Sequence, residues 1–256
     1  MRVASLTCSN TEIMAALGCG KNLIAVDSHS DFPIDIVSSL PRLGPDLNID
    51  LDLLESLKPD LVLASLSVPG MEHVFAGVKA RGLNVLVLDP VSVFGIFENV
   101  RLVAQALGVA ELGERVALEM QEQLQTLAAR CKSLSKPPRV MVEWWARPVI
   151  VAARDSWVTD AFGLLGIENV FAGIAKRSSV VTTADVLSAA PEIIAVSWCG
   201  AKKLRPEMIA ARDGWQEIPA VQNNRVIGVP ESGLGRPSPR LLEGLTTIVT
   251  AALELG

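Results

Sequence analysis

The 256 residues contain no tyrosine, two histidines and four cysteines, and each shortage removes a class of function. With His29 and His73 as the only imidazoles, a transition-metal site would need cysteines and carboxylates at a recognisable spacing, and none is present. The same shortage leaves a Ser-His-acid triad without support, since no G-x-S-x-G occurs. Cys8, Cys19, Cys131 and Cys199 form no C-x-x-C pair and no zinc pattern, and they read as buried thiols. The longest uncharged stretch runs only from Leu61 to Met71, short of the roughly 18–20 residues of a membrane span. No basic excess exists either: 23 Lys and Arg stand against 28 Asp and Glu, a formal charge of −5. That balance gives no concentrated basic surface for nucleic acid or an anionic membrane. Gly18-Cys19-Gly20 ends a helical pattern instead of opening one, and Leu23 stands where a dinucleotide fingerprint needs its third glycine. Gly20-Lys21 lacks the following Ser or Thr of a phosphate loop. No catalytic residue, catalytic cofactor or metal site is therefore expected. No basic and apolar leader precedes the strand-like run Arg2 to Leu6, so the expectation is a cytoplasmic protein as the chain stands, or a periplasmic or extracytoplasmic one if a signal peptide was removed.

What the sequence does contain is a duplicated α/β plan. Apolar runs of four to six residues alternate with helical patterns: Val3 to Leu6, a helix near Thr11 to Leu17, then Leu23 to Val26. LLESLKPDLVLAS, ending at Ser65, resembles DVLSAAPEIIAVS, ending at Ser197, with Pro59 matching Pro191. On one side ALG ending at Gly18 matches LLG ending at Gly166; on the other, NVLVLDP around Val85 resembles RVIGVPE around Val226. Because the signals keep their order, two similar lobes follow better than one continuous sheet. Between them Val116, Met120, Leu124, Leu127, Cys131 and Leu134 recur at helical spacing within Glu111 to Ser135, before Pro137 and Pro138. The expected fold is α/β: two Rossmann-like lobes with parallel sheets, residues 1–110 and 138–256, joined by one long linker helix within 111–137.

In open parallel sheets ligands bind outside the carboxyl ends of the strands. The candidate segments are therefore Thr7 to Asn10, Ser28 to Phe32, Leu66 to Val68 and Pro90 to Ser92 in the first half. In the second they are Trp145 to Arg147, Arg154 to Trp157, Trp198 to Gly200 and Glu231 to Arg236. Ser9 and Glu12 fit a capping box, which would aim backbone N–H groups toward the strand ends or merely cap a helix. All five tryptophans lie in the second half. Trp144 and Trp145 must face opposite ways if their strand continues. Trp157 and Trp198 sit at predicted element ends, where an indole can stack on a flat ligand or fill the core.

RVASLTCSNTEIMAALGCGKNLIAVDSHSDFP at the start and LLESLKPDLVLAS after it resemble the cobalamin and iron-siderophore class of ABC-transporter substrate-binding proteins. VMVEWWARPVIVAARDSWVTDAFGLLGIENVFAG and GRPSPRLLEGL in the second half are similar to its cobalamin-binding branch. The resemblance runs in order along nearly the whole chain. It implies a helical-backbone periplasmic-binding-protein fold, no catalysis, and one ligand held between the lobes, a corrinoid such as cobalamin or cobinamide. His29 falls where that branch places a ligand-facing aromatic, and Ser232, Gly233 and Arg236 fall in the second-lobe loop that contacts the corrinoid. Together with Cys8, Ser9, Phe32, Trp145, Trp157 and Trp198 from the strand-end segments, these form the expected ligand-binding set. Imidazole at position 29 can coordinate a metal, or hydrogen-bond Asp31 or Ser9 and shape its loop. The family's importer-docking acid lies seven residues before the proline of LKPD; that position is Asp52 in the first lobe and Ala184 in the second, with Asp185 one place late. An ABC permease is accordingly the expected protein partner, with Asp52 and Asp185 as the candidate contacts on a monomer. The alternative ligand is an iron siderophore, whose charge Arg147, Arg154, Arg177 and Arg236 would balance. A nucleotide-dependent enzyme on a doubly wound fold is the second alternative, and the missing glycine fingerprint counts against it.

Overall fold

The computed structural model describes residues 1–201 and 203–255; the expected boundary at residue 256 lies outside them. The chain divides into two compact units. Unit 1 comprises Met1–Pro90, Phe94–Met120 and Pro237–Pro239. Unit 2 comprises Val91–Val93, Gln121–Arg236 and Arg240–Gly256.

In unit 1, strands β1 (Val3–Ser5), β2 (Leu23–Val26), β3 (Leu61–Ser65) and β4 (Val85–Leu88) alternate with helices. These are α1 (Cys8–Ala16), α2 (Ile34–Val37), α3 (Leu51–Ser56), α4 (Met71–Ala80) and α5 (Val93–Ala106). The strands pair in the order β2-β1-β3-β4, all parallel. Every residue of β3 is buried, which is why this strand reads as an unbroken apolar run: a parallel sheet is covered on both faces. Ala4, Ala25, Leu54, Val62, Val74 and Val78 form part of one core layer against it. Helix α6 (Ala110–Cys131) carries the expected stripe, with Met120, Leu124, Leu127 and Cys131 buried. It stops at Cys131, six residues before Pro137.

Unit 2 contains β5 (Arg139–Ala146), β6 (Val149–Ala152), α7 (Trp157–Leu165), β7 (Glu168–Asn169), β8 (Ser178–Val180) and α8 (Thr183–Ala189). After these come β9 (Ile193–Val196), α9 (Glu207–Ala210), α10 (Pro219–Gln222), β10 (Val226–Gly228), α11 (Glu231–Leu234) and α12 (Leu241–Leu253). The sheet runs β10-β9-β5-β6-β8, and β7 pairs with the start of β5. Here the structure differs from an all-parallel sheet. Strand β6 is antiparallel to both β5 and β8. Only Arg147 and Pro148 separate β5 from β6, and a parallel return would need a crossover of a dozen residues or more. The β5–β6 register shifts between Glu143 and Trp145. This bulge at Trp144 breaks the strict alternation expected of the tryptophan pair.

The internal repeat corresponds to equivalent elements. Gly18 and Gly166 both follow helices at positive φ, a conformation glycine adopts without penalty. LLESLKPDLVLAS spans the end of α3 and β3; DVLSAAPEIIAVS spans α8 and β9. Each turn includes a non-glycine residue at positive φ, Lys58 and Ala190, directly before the matching prolines.

Helices α11 and α12 meet through glycines. A Cβ on Gly244 would overlap the carbonyl of Gly233, and one on Gly233 would press on the Gly244 backbone. Since backbone cannot yield as a flexible side chain does, Gly244→Ala is expected to destabilise unit 2 by about 1–3 kcal/mol. Urea unfolding followed by tryptophan emission checks this; an unchanged midpoint would show that the helices separate freely.

Candidate functional site

The four strands of unit 1 are parallel, so their carboxyl ends lie at one edge of the sheet and the segments leaving them gather there. The segment after β2 rests on a buried polar frame. Asp27, fully buried, accepts the His29 backbone N–H on Oδ2 at 2.7 Å and the Ser30 hydroxyl on Oδ1 at 2.5 Å. Ser30 Oγ lies 2.7 Å from Thr11 Oγ1, which donates to Ser5 Oγ at 2.8 Å. The Arg42 guanidinium donates to the carbonyls of Asp27, Ser30 and Val37. Burial pushes the Asp27 carboxyl above its ordinary value, against the hydrogen bonds from Ser30 and His29, while the nearby Asp46 carboxylate adds to the rise.

These bonds hold the backbone and leave the side chains outward. The His29 side chain is 48% exposed, with Nε2 3.9 Å from Asp46 Oδ1. The contact with Asp46 has a local cause: Leu43 N–H donates to Val26 O and Ser28 N–H to Gly44 O, so the chain after Arg42 runs beside the end of β2 and brings Asp46 to His29. Phe32 is exposed close by in sequence, as are Ile34, Leu47 and Val68.

Cys8 opens α1 half-buried, and Ser9 is buried 3.1 Å from Thr7 Oγ1. The expected capping box is absent. Thr7 is the extended N-cap residue, so Ser9 already lies in the first turn. Glu12 is buried and accepts the hydroxyl of Ser238 instead. Asp52 lies in the first turn of α3, 90% exposed, with Oδ1 2.6 Å from Arg81 Nη2.

In unit 2 the carboxyl ends of β5, β9 and β10 share one edge, and the reversed β6 corrects part of the expected set. Arg154 follows β6 and Arg177 precedes β8, strand ends that point toward the start of β5. Of the four arginines offered for an anionic ligand, only Arg147 and Arg236 stand beyond the carboxyl ends of β5 and β10. Trp145 is 47% exposed, its indole N–H donating to Arg147 O. The other two candidate tryptophans are buried. Trp157 is buried and donates to Leu234 O at 2.9 Å. Trp198 is buried in the core of unit 2 and donates to Glu143 Oε1 at 2.8 Å. Cys199, expected buried, is exposed.

Ser232, Gly233 and Arg236 lie on or just after α11, all buried. Gly233 serves the α11–α12 approach described above. Arg236 Nη2 lies 3.6 Å from Glu231 Oε2, which also accepts the Gly200 N–H. Asp185 is engaged within its own helix. It accepts the Thr182 backbone N–H and hydroxyl while the Thr182 Oγ1 accepts from the Asp185 N–H, a complete capping box. The Thr182 N–H holds its carboxyl below the usual range, with the Thr182 hydroxyl adding to the effect.

A polar cluster at Glu143 lay outside the expected set. Its fully buried carboxylate receives both Arg212 Nη1 (2.6 Å) and Nη2 (2.7 Å) besides the Trp198 indole. The guanidinium also lies over the Trp215 ring at 4.5 Å. Beside it a cavity of about 500 Å³ is lined by Arg147, Pro148, Thr183, Met208, Arg212 and Trp215 among others. An acid inside the apolar run Val140–Trp145 was the available signal; its partner, 69 residues away, has no sequence mark.

Comparison with known proteins gives consistent matches along the chain. A family model described as periplasmic binding protein matches residues 3–232. A vitamin B12-binding protein of Vibrio vulnificus is 30% identical over 246 residues, covering 94% of this chain and 86% of that one. Among solved structures, an apo periplasmic heme-binding protein from Roseiflexus superposes with TM-score 0.86 at 26% identity, over 99% of this chain and 98% of that one. The periplasmic vitamin B12-binding protein of Vibrio cholerae gives TM-score 0.84 at 27% identity, over 99% and 96%.

Two outcomes follow from the charges of unit 2. Arg212→Met removes one partner of a buried pair and strands the Glu143 charge, so a loss of about 3–5 kcal/mol is expected in urea unfolding; a loss below about 1 kcal/mol would mean solvent screens the pair. Asp185 has a lowered folded pKa, so its stabilisation is present above the ordinary aspartate value and is lost as pH falls through the lowered one. Asp185→Asn should therefore lower the unfolding midpoint at neutral pH and converge with wild type in acid; parallel curves at both would refute the capping role.

Proposed function

The chain belongs to the periplasmic binding protein family, and on that premise we propose that it is the substrate-binding component of an ABC importer for a large, flat metal chelate of the corrinoid or porphyrin kind. The family is one of non-catalytic substrate-binding proteins. The observation that carries the ligand class is the exposed apolar side chains on the segments after β2 and β3: Phe32, Ile34, Leu47 and Val68, between 40% and 68% exposed. They suit a ligand with broad apolar faces. Trp145 offers an indole face at the corresponding strand ends of unit 2. Within unit 1 Cys8, Ser9 and His29, and within unit 2 Ser232 and Arg236, are the polar candidates at these strand ends, while Trp157, Trp198 and Gly233 support the segments of unit 2 from within. The vitamin B12 and heme named for the relatives support a tetrapyrrole-type macrocycle.

As an importer component the protein works outside the cytoplasmic membrane, and Asp52 and Asp185 are the acids available to a permease. Both candidate acids are exposed and engaged within their own unit, Asp52 by Arg81 and Asp185 by Thr182. A second reading, a ferric siderophore, is favoured by Arg147, an exposed cation at the β5–β6 turn beside Trp145.

The test is retention of colour. Protein mixed separately with cobinamide, cyanocobalamin, hemin and a ferric siderophore is desalted and its visible spectrum recorded. One equivalent of corrinoid or heme is expected to stay with the protein, and Phe32→Ala or Trp145→Ala should weaken that binding by about 1–3 kcal/mol. Retention of the siderophore alone selects the second reading, and retention of none overturns both.

A further inference from the structure

A strand that alternates strictly sends residues two apart to the same face, so regular β5 pairing would turn Trp145 to the side of Met141 and Glu143. The register shows otherwise. Glu143 pairs with Val151, Trp145 with Ile150 and Ala146 with Val149. Because β6 advances by single residues through these pairs, Glu143 and Ala146 share the face of Val151 and Val149, and Trp145 takes the opposite one. The packing agrees: Met141 and Val151 lie in the core with Trp198 and Trp215, Ala146 and Val149 pack against it, and Trp145 is exposed. We infer that Arg212 pins the bulge that produces this reversal, and so acts as a positioning residue for Trp145.

The guanidinium spans the bulge. Nη1 and Nη2 donate to the Glu143 carboxylate on one side of the extra residue, and Nη2 lies 3.5 Å from the Ala146 carbonyl oxygen on the other. Arg212 is itself braced, since it lies over the Trp215 ring, whose indole N–H donates to Thr183 Oγ1. From the segment after β9, the Trp198 indole holds Glu143 Oε1. A slip of one residue would carry Trp145 to the face already filled by Trp198 and Trp215. A buried ion pair adds little net stability over an apolar replacement, and fixing register is its best-attested use; a bulge in turn re-aims a side chain. The consequence for binding rests on the reading above, in which Trp145 offers its indole face to the chelate.

Two variants test the pin. Glu143→Leu with Arg212→Met removes both charges and strands neither. Arg212→Lys keeps the charge, but a single ammonium cannot fork onto Glu143 and also reach Ala146. Acrylamide quenching of tryptophan emission, taken as the difference between each protein and its Trp145→Ala counterpart, reports the exposure of Trp145 alone. That difference is expected to shrink about twofold or more in both variants, and the dissociation constant for cobinamide or hemin to rise about tenfold, with Trp145→Ala adding no further loss. A pair that only stabilised unit 2 would leave the two losses multiplying. If the double variant does not fold, Arg212→Lys decides alone. Unchanged Trp145 quenching in the folded variants overturns the inference, whatever becomes of the ligand. Reduced quenching alongside a wild type that retains neither chelate supports the pin and overturns only the ligand class.

Discussion

Parallel pairing is the constraint on which the rest depends. A parallel strand must be re-entered from the same end, so every connection crosses back over the sheet and every departing segment leaves at one edge. In unit 1 this delivers Cys8 and Ser9 from β1, His29 and Phe32 from β2, and Val68 from β3 to a common edge, although they are far apart in sequence. In unit 2 the same rule gathers Trp145, Cys199 and the Ser232–Arg236 segment from β5, β9 and β10. It also explains the exception: where two residues replace a crossover, β6 reverses, and Arg154 and Arg177 leave the set.

Each unit stiffens its edge with one buried carboxylate. Asp27 uses neutral donors, an amide and a hydroxyl, and burial raises its pKa against them. Glu143 instead takes a forked guanidinium and an indole, so its charge is matched within the core. The first solution fixes a short loop to the strand it has just left. The second ties β5 to Arg212, beyond α9 and far along the chain.

Much of the fold was legible because its signals are local. Leu23–Val26 is a strand where the apolar run stands, and the stripe from Met120 to Cys131 is the buried face of α6. The motif around Pro59 and Pro191 repeats because the same helix, turn and strand are built twice. The site was legible only in part. Segments could be assigned to strand ends, but an indole's direction depends on partners distant in sequence: Leu234 for Trp157 and Glu143 for Trp198. Ser9 and Glu12 matched a capping pattern that the extended Thr7 pre-empts. Asp46 and Arg212 carry no mark in the sequence, since each gains its role from a neighbour brought near by folding.

The five tryptophans all belong to unit 2, and without tyrosine unit 1 holds no strongly emitting side chain. The protein is thus optically half silent. Fluorescence excited near the indole band reports on the burial of Trp157, Trp198 and Trp215 in one unit, whereas circular dichroism registers the helices of both. Any denaturant range in which the two signals diverge would reveal that the duplicated halves lose their structure separately, without an added label.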